Sequence, residues 1–136
     1  GNSVAFTVGA SDAENDVIEP VEPSMRLLPA VKKNKISGTG ELSIPGRSVD
    51  RAHCTGQLID TLLDNNGKIV QTTDVPLKFV SSSLEKKKGG MPAYCVTKFN
   101  FGIVKEPGTY TVSAEYAGGD LFTSSKTTSG TVTVEP

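Results

Sequence analysis

The feature that most constrains this chain is the strict alternation near its C-terminal end. Tyr110, Val112, Ala114 and Tyr116 alternate with Thr109, Thr111, Ser113 and Glu115. A period of two sets one group of side chains against a core and the other in water, which predicts a half-buried β-strand. Gly118-Gly119-Asp120 interrupts the pattern, and Thr131-Val132-Thr133-Val134 resumes it. The two runs predict the closing pair of strands of an antiparallel sheet.

Upstream segments repeat the motif. Ile36, Gly38, Gly40, Leu42 and Ile44 share one phase, and Pro45-Gly46 ends that run. Cys54, Gly56, Leu58 and Leu62 share a second phase. Asp64-Asn65-Asn66-Gly67 follows, and Asn-Gly is a strong hairpin signal because both residues tolerate positive φ. Strands are then predicted over 68–73 and 75–80, with Leu77 and Phe79 inward. Cys95, Thr97, Phe99, Phe101 and Ile103 predict one buried face of a further strand. Met25–Val31 is apolar but carries Pro29, which suits a sheet edge because proline cannot donate to a ladder. Seven or eight short strands with turn signals between them predict an all-β, two-sheet sandwich.

The domain reading is an N-terminal arm at 1–34 followed by the sandwich at 35–136. In the arm, Val4, Phe6 and Val8 alternate over Ser3–Val8, so the segment is a competent strand, either for an edge of its own sheet or for a neighbouring subunit. A polar stretch with Pro20 and Pro23 separates it from the rest, as a linker would. The chain begins at Gly1 with no signal-peptide pattern, as expected after removal of a leader or after trimming.

At 136 residues the chain fits one domain, and its formal net charge of −1 gives no electrostatic pull towards nucleic acid or anionic membrane. No apolar run approaches the roughly 20 residues needed to span a bilayer. Two cysteines, Cys54 and Cys95, both lie at inward phases. Their even number in a chain of this class favours a disulfide and an oxidising compartment over two buried thiols. Closing a loop of roughly forty residues is worth about 3–4 kcal/mol in the chain-entropy treatment.

Ser37-Gly38-Thr39, Asp64-Asn65-Asn66-Gly67-Lys68, the run Pro107-Gly108-Thr109-Tyr110-Thr111-Val112-Ser113-Ala114-Glu115-Tyr116-Ala117-Gly118, and Thr131–Val134 occur in this order. Together they resemble the Big-type Ig-like repeats of bacterial and archaeal surface proteins. The resemblance covers about residues 35–136 and implies an Ig-like sandwich in a secreted or cell-surface setting. Such domains act as spacers, adhesins and filament parts, so the resemblance implies a structural or adhesive role. Tyr110 sits where a tyrosine corner would be, near the start of its strand after a turn, with Val112 in place of an antibody-type second cysteine. The arm, the lysine-rich loop and the Cys54–Cys95 pair depart from the repeats' usual pattern.

No catalytic constellation stands out, and the chain is not expected to be an enzyme. His53 adjoins Cys54, but neighbours on a strand point to opposite faces, so the pair is badly placed for nucleophilic catalysis. Three soft ligands are too few for a structural zinc. Asp12, Glu14 and Asp16 place hard oxygen donors at alternate positions, a pattern that can hold Ca²⁺; the plainer reading is a solvated linker. Lys86-Lys87-Lys88 reads as a solubilising loop tip, with an acidic glycan or partner as the alternative.

The leading functional expectation is a subunit of a prokaryotic surface filament, assembled when Val4, Phe6 and Val8 add a strand to a neighbouring copy. The alternative is a carbohydrate- or protein-binding module of a larger adhesin or secreted enzyme. The partner is thus self in the first case and a glycan or host protein in the second.

Overall fold

The computed structural model describes residues 18–83, 90–123 and 126–136. Eight strands run along these residues: β1 (Ser24–Lys32), β2 (Lys35–Ser43), β3 (Gln57–Leu63), β4 (Ile69–Pro76), β5 (Lys78–Val80), β6 (Tyr94–Ile103), β7 (Gly108–Tyr116) and β8 (Lys126–Val134). They form two four-stranded antiparallel sheets, β1-β2-β6-β5 and β4-β3-β7-β8. This is the two-sheet β-sandwich that the alternation predicts. Its strand order is that of an immunoglobulin-type Greek key, A-B-E-D facing C-F-G, with β4 as one added edge strand.

The sheets close on two contiguous clusters. One holds Leu42, Leu58, Leu77, Cys95, Ala114, Tyr116 and Phe122. The other, at the opposite end, holds Ile36, Leu62, Phe99, Phe101, Tyr110, Val112 and Val134. On β7 the predicted phase holds throughout: Tyr110, Val112, Ala114 and Tyr116 are all buried. The Tyr110 hydroxyl donates to the Glu106 carbonyl at 2.8 Å, four residues upstream, and so forms the corner that pins the β6–β7 connection. The Tyr116 hydroxyl, at the other end of β7, donates to the Thr55 carbonyl at 2.9 Å.

The span assigned to the arm contains β1, which pairs with β2 along its whole length. Val21 also bridges to Phe122, so the sandwich reaches back to residue 21. Pro29 sits in this edge strand, as proline requires, and its ring lies 3.1 Å from where a Cβ on Gly130 would stand. That close approach seals the β1–β8 side of the sandwich.

One turn goes beyond the sequence reading, and two local readings change. The β1–β2 turn is a two-residue Lys33-Asn34 loop with φ of 51° and 63°, a primed hairpin that no glycine announces. The Asn66-Gly67 turn has positive φ only at Gly67, and the Gly67 amide donates to the Asp64 carbonyl at 2.9 Å. It is therefore a turn followed by a left-handed glycine rather than a primed pair. Ile103 does not share the buried face of β6. The register slips where β6 meets Ile36 and Ser37, Gly102 takes φ +80°, and Ile103 emerges 71% exposed.

Candidate functional site

The open feature of the sandwich is the edge where β4, β5 and β6 meet. β4 pairs with β3 in one sheet; after Pro76 the chain crosses at Leu77, and β5 joins the other. The strand reading of 68–73 and 75–80 thus becomes one longer strand and one of three residues, split at the crossing. β5 covers only Tyr94, Cys95 and Val96 of the β6 edge. Beyond Val96, no strand among the described residues pairs with that edge of β6.

The short β5 also leaves the inner face of β4 without a cover. By register, Val75, Thr73 and Gln71 share the inward face of Leu58, Asp60 and Leu62. Val75 and Thr73 are only half-buried and Gln71 is exposed. The result is a cleft of about 330 Å³ at the far end of the edge, lined by Leu62, Val70, Gln71, Phe101, Ile103 and Tyr110 among others. Val70 is 49% exposed and adjacent Ile69 is 62% exposed. With Ile103 they account for three of the five exposed large apolar side chains among the described residues. Exposed aliphatics are ordinary when scattered, and Ile69 pairs with Leu63 away from the cleft; Val70 and Ile103, which line it beside the edge, mark a surface that gains by being covered.

Beneath this edge lies Asp60, which the sequence reading passed over. It is fully buried on β3, opposite Thr73 on β4 and Ala114 on β7. Neither carboxyl oxygen has a hydrogen-bond partner, and neither does the buried Thr97 hydroxyl, which faces inward from β6. Desolvation, with a smaller contribution from the Asp74 charge, pushes the Asp60 carboxyl up to about 6. With the Gln57 amide turned to donate, its nitrogen lies 2.8 and 3.0 Å from the two Asp74 oxygens. The clue to Asp60 was its phase: it sits midway between Leu58 and Leu62, where a strand of this period must face the core.

The cysteines form the expected disulfide, with Cα atoms 5.5 Å apart. Its setting differs from two inward strand positions. Cys95 is buried on β6, but Cys54 caps a 3-10 turn, Arg51–His53, that precedes β3. The bridge therefore ties a turn to a strand. The turn is held by a capping box: Asp50 Oδ1 accepts from the Ala52 amide, and His53 Nδ1 accepts from the Asp50 amide at 2.8 Å. His53 stacks on Phe122 at 5.1 Å, and the Arg51 guanidinium lies 4.5 Å above the Phe79 ring. His53 is thus packed on Phe122 in a 3-10 turn rather than on a strand, beside an oxidised cysteine, and its buried Nε2 has no hydrogen-bond partner.

Val4, Phe6 and Val8, the acidic set Asp12, Glu14 and Asp16, and Lys86-Lys87-Lys88 lie outside the described residues. Among the described residues no three His, Cys, Asp or Glu side chains gather as a metal site would need, and no helix is long and apolar enough to cross a membrane. A second cleft, of about 380 Å³, opens at the other end of the molecule beside Met25, the Arg26–Glu41 ion pair, Arg47 and Tyr94. No family model and no curated protein matches this chain.

Proposed function

We propose that this chain is a structural subunit of an extracellular prokaryotic filament, joined to its neighbour by strand addition through residues 3–8. The observation that carries the reading is that the described strands already complete an immunoglobulin-type sheet order. Residues 3–8 have the alternation of a strand and lie outside the described residues, whose eight strands make that order without them. An apolar strand surplus to its own fold is an aggregation hazard unless a partner takes it. Taken by a second copy, it offers main-chain hydrogen bonds and alternate side chains for pockets, and a head-to-tail contact of this kind propagates into fibres.

Two further features agree. The Cys54–Cys95 bridge suits an oxidising compartment. The described aromatic side chains are mostly committed to the core, with Tyr94 and Phe79 the partly exposed ones, so the stacked platform that a sugar-binding module needs has little material. Sedimentation of the intact chain tests the reading: assembly that rises with concentration and is lost in Phe6→Asp supports it. A folded monomer at hundreds of micromolar would overturn it and leave the binding-module alternative.

A further inference from the structure

We infer that the strand acceptor is the unpaired edge of β6 from Thr97 to Ile103, over the uncovered inner face of β4, and that its occupant is residues 3–8 of a second copy. This rests on the strand-addition reading and adds where the strand goes.

Size, chemistry and position support the assignment. Among the described residues the free edge runs seven residues, about 23 Å at roughly 3.3 Å per residue, and six residues such as 3–8 would span about 20 Å if extended. An added strand would continue the line of β5 along β6. Its inward side chains would then meet the face that β5 is too short to cover, over Gln71 and Thr73 and between Val70 and Phe101. Val4, Phe6 and Val8 suit the apolar part of that lining, Leu62, Val70, Phe101 and Ile103, although the lining also carries Asp64, Lys105 and Glu106. Residues 2–10 carry no ionisable side chain, so burying them costs no side-chain charge desolvation.

Position suits a contact that passes between copies. The described chain enters the sandwich through Val21, which bonds to Leu121 and Thr123 around Phe122, in the cluster of Leu42, Tyr116 and Cys95. The open edge flanks the other cluster, that of Leu62, Phe101 and Tyr110. The point where the described chain enters the sandwich thus lies at the end opposite the open edge, and passing each copy's arm on to the next makes a head-to-tail contact.

The test uses intact chains with one side disabled. Val70→Glu with Ile103→Glu puts two charges on the acceptor at exposed positions that the fold does not need. Phe6→Asp disables the donor. Each variant alone should lose assembly by at least tenfold in the concentration required, with an unchanged circular dichroism spectrum. Mixed, the two should form a heterodimer of twice the 14.3 kDa chain mass and stop there, because only one donor and one acceptor remain. If the acceptor variant assembles like the parent while Phe6→Asp does not, strand addition stands and this site is wrong. If the parent itself never assembles, the strand-addition reading fails and the site with it.

Discussion

Asp60 makes the fold's stability depend on pH in a direction opposite to that of an ordinary paired carboxylate. Its carboxyl is buried, unpartnered and raised from 3.8 to about 6. In the unfolded chain it ionises near the lower value. Between the two, the folded protein holds a proton that the unfolded chain releases, so acid favours folding. The contribution is fully present below 3.8, falls as pH rises through that window, and is gone above about 6. At about 1.36 kcal/mol per unit, a shift of roughly two units is worth about 3 kcal/mol. The assay is urea denaturation from pH 3.5 to 7.5, in the Phe6→Asp background so that assembly does not enter. With a slope of about 1–3 kcal/mol/M, the midpoint should fall by about 1–3 M across the window from this group. Asp60→Asn keeps the shape without the ionisation and serves as the subtraction for every other carboxylate. Parent and variant following the same pH profile would refute the reasoning, as would a carboxyl carbon resonance of Asp60 titrating near 4.

Other substitutions read the remaining joints. Tyr110→Phe removes the hydroxyl bond to Glu106 and should cost about 1 kcal/mol in denaturant midpoint, with no change in sheet content. Tyr116→Ala empties a fully buried site and cuts the bond to Thr55, so a loss of about 3–5 kcal/mol is expected, and an unchanged midpoint would mean that the β7 phase is wrong. Replacing Cys54 and Cys95 by alanine releases a 41-residue separation and should cost about 3–4 kcal/mol; two thiols freely alkylated in the folded, non-reduced protein would show that the bridge does not form.

Much of this fold was legible because its strands are half-buried. Period-two patterns declare themselves in β2, β3 and β7, where one face meets a core and the other water. The Tyr110 corner was legible too, since a tyrosine placed just after a turn has a carbonyl within reach upstream. Legibility failed where backbone geometry, rather than side-chain chemistry, decides the outcome. The bulge at Gly102 swings Ile103 outward although its spacing matches Phe101 and Phe99. Lys33 adopts positive φ because the β1–β2 register demands a two-residue loop, and lysine gives no sign of it. Cys54 keeps the phase of Leu58 only on paper, since the 3-10 turn at 51–53 breaks the strand before it.

The candidate site was hidden for a related reason. An edge is open only by comparison with the length of its neighbour, and that β5 stops after three residues is a fact of topology. Pro76 marks the crossing between sheets but not how little follows it. Asp60 was obscured by its charge, which breaks an apolar run while its phase keeps it inside.

The most direct measurement is the mass of the intact, oxidised chain against concentration by sedimentation, with electron microscopy of the same samples. Strand addition requires open-ended assembly into unbranched fibres, ending at the heterodimer when the donor-disabled and acceptor-disabled chains are mixed. A single species at the 14.3 kDa chain mass throughout the concentration series would contradict it.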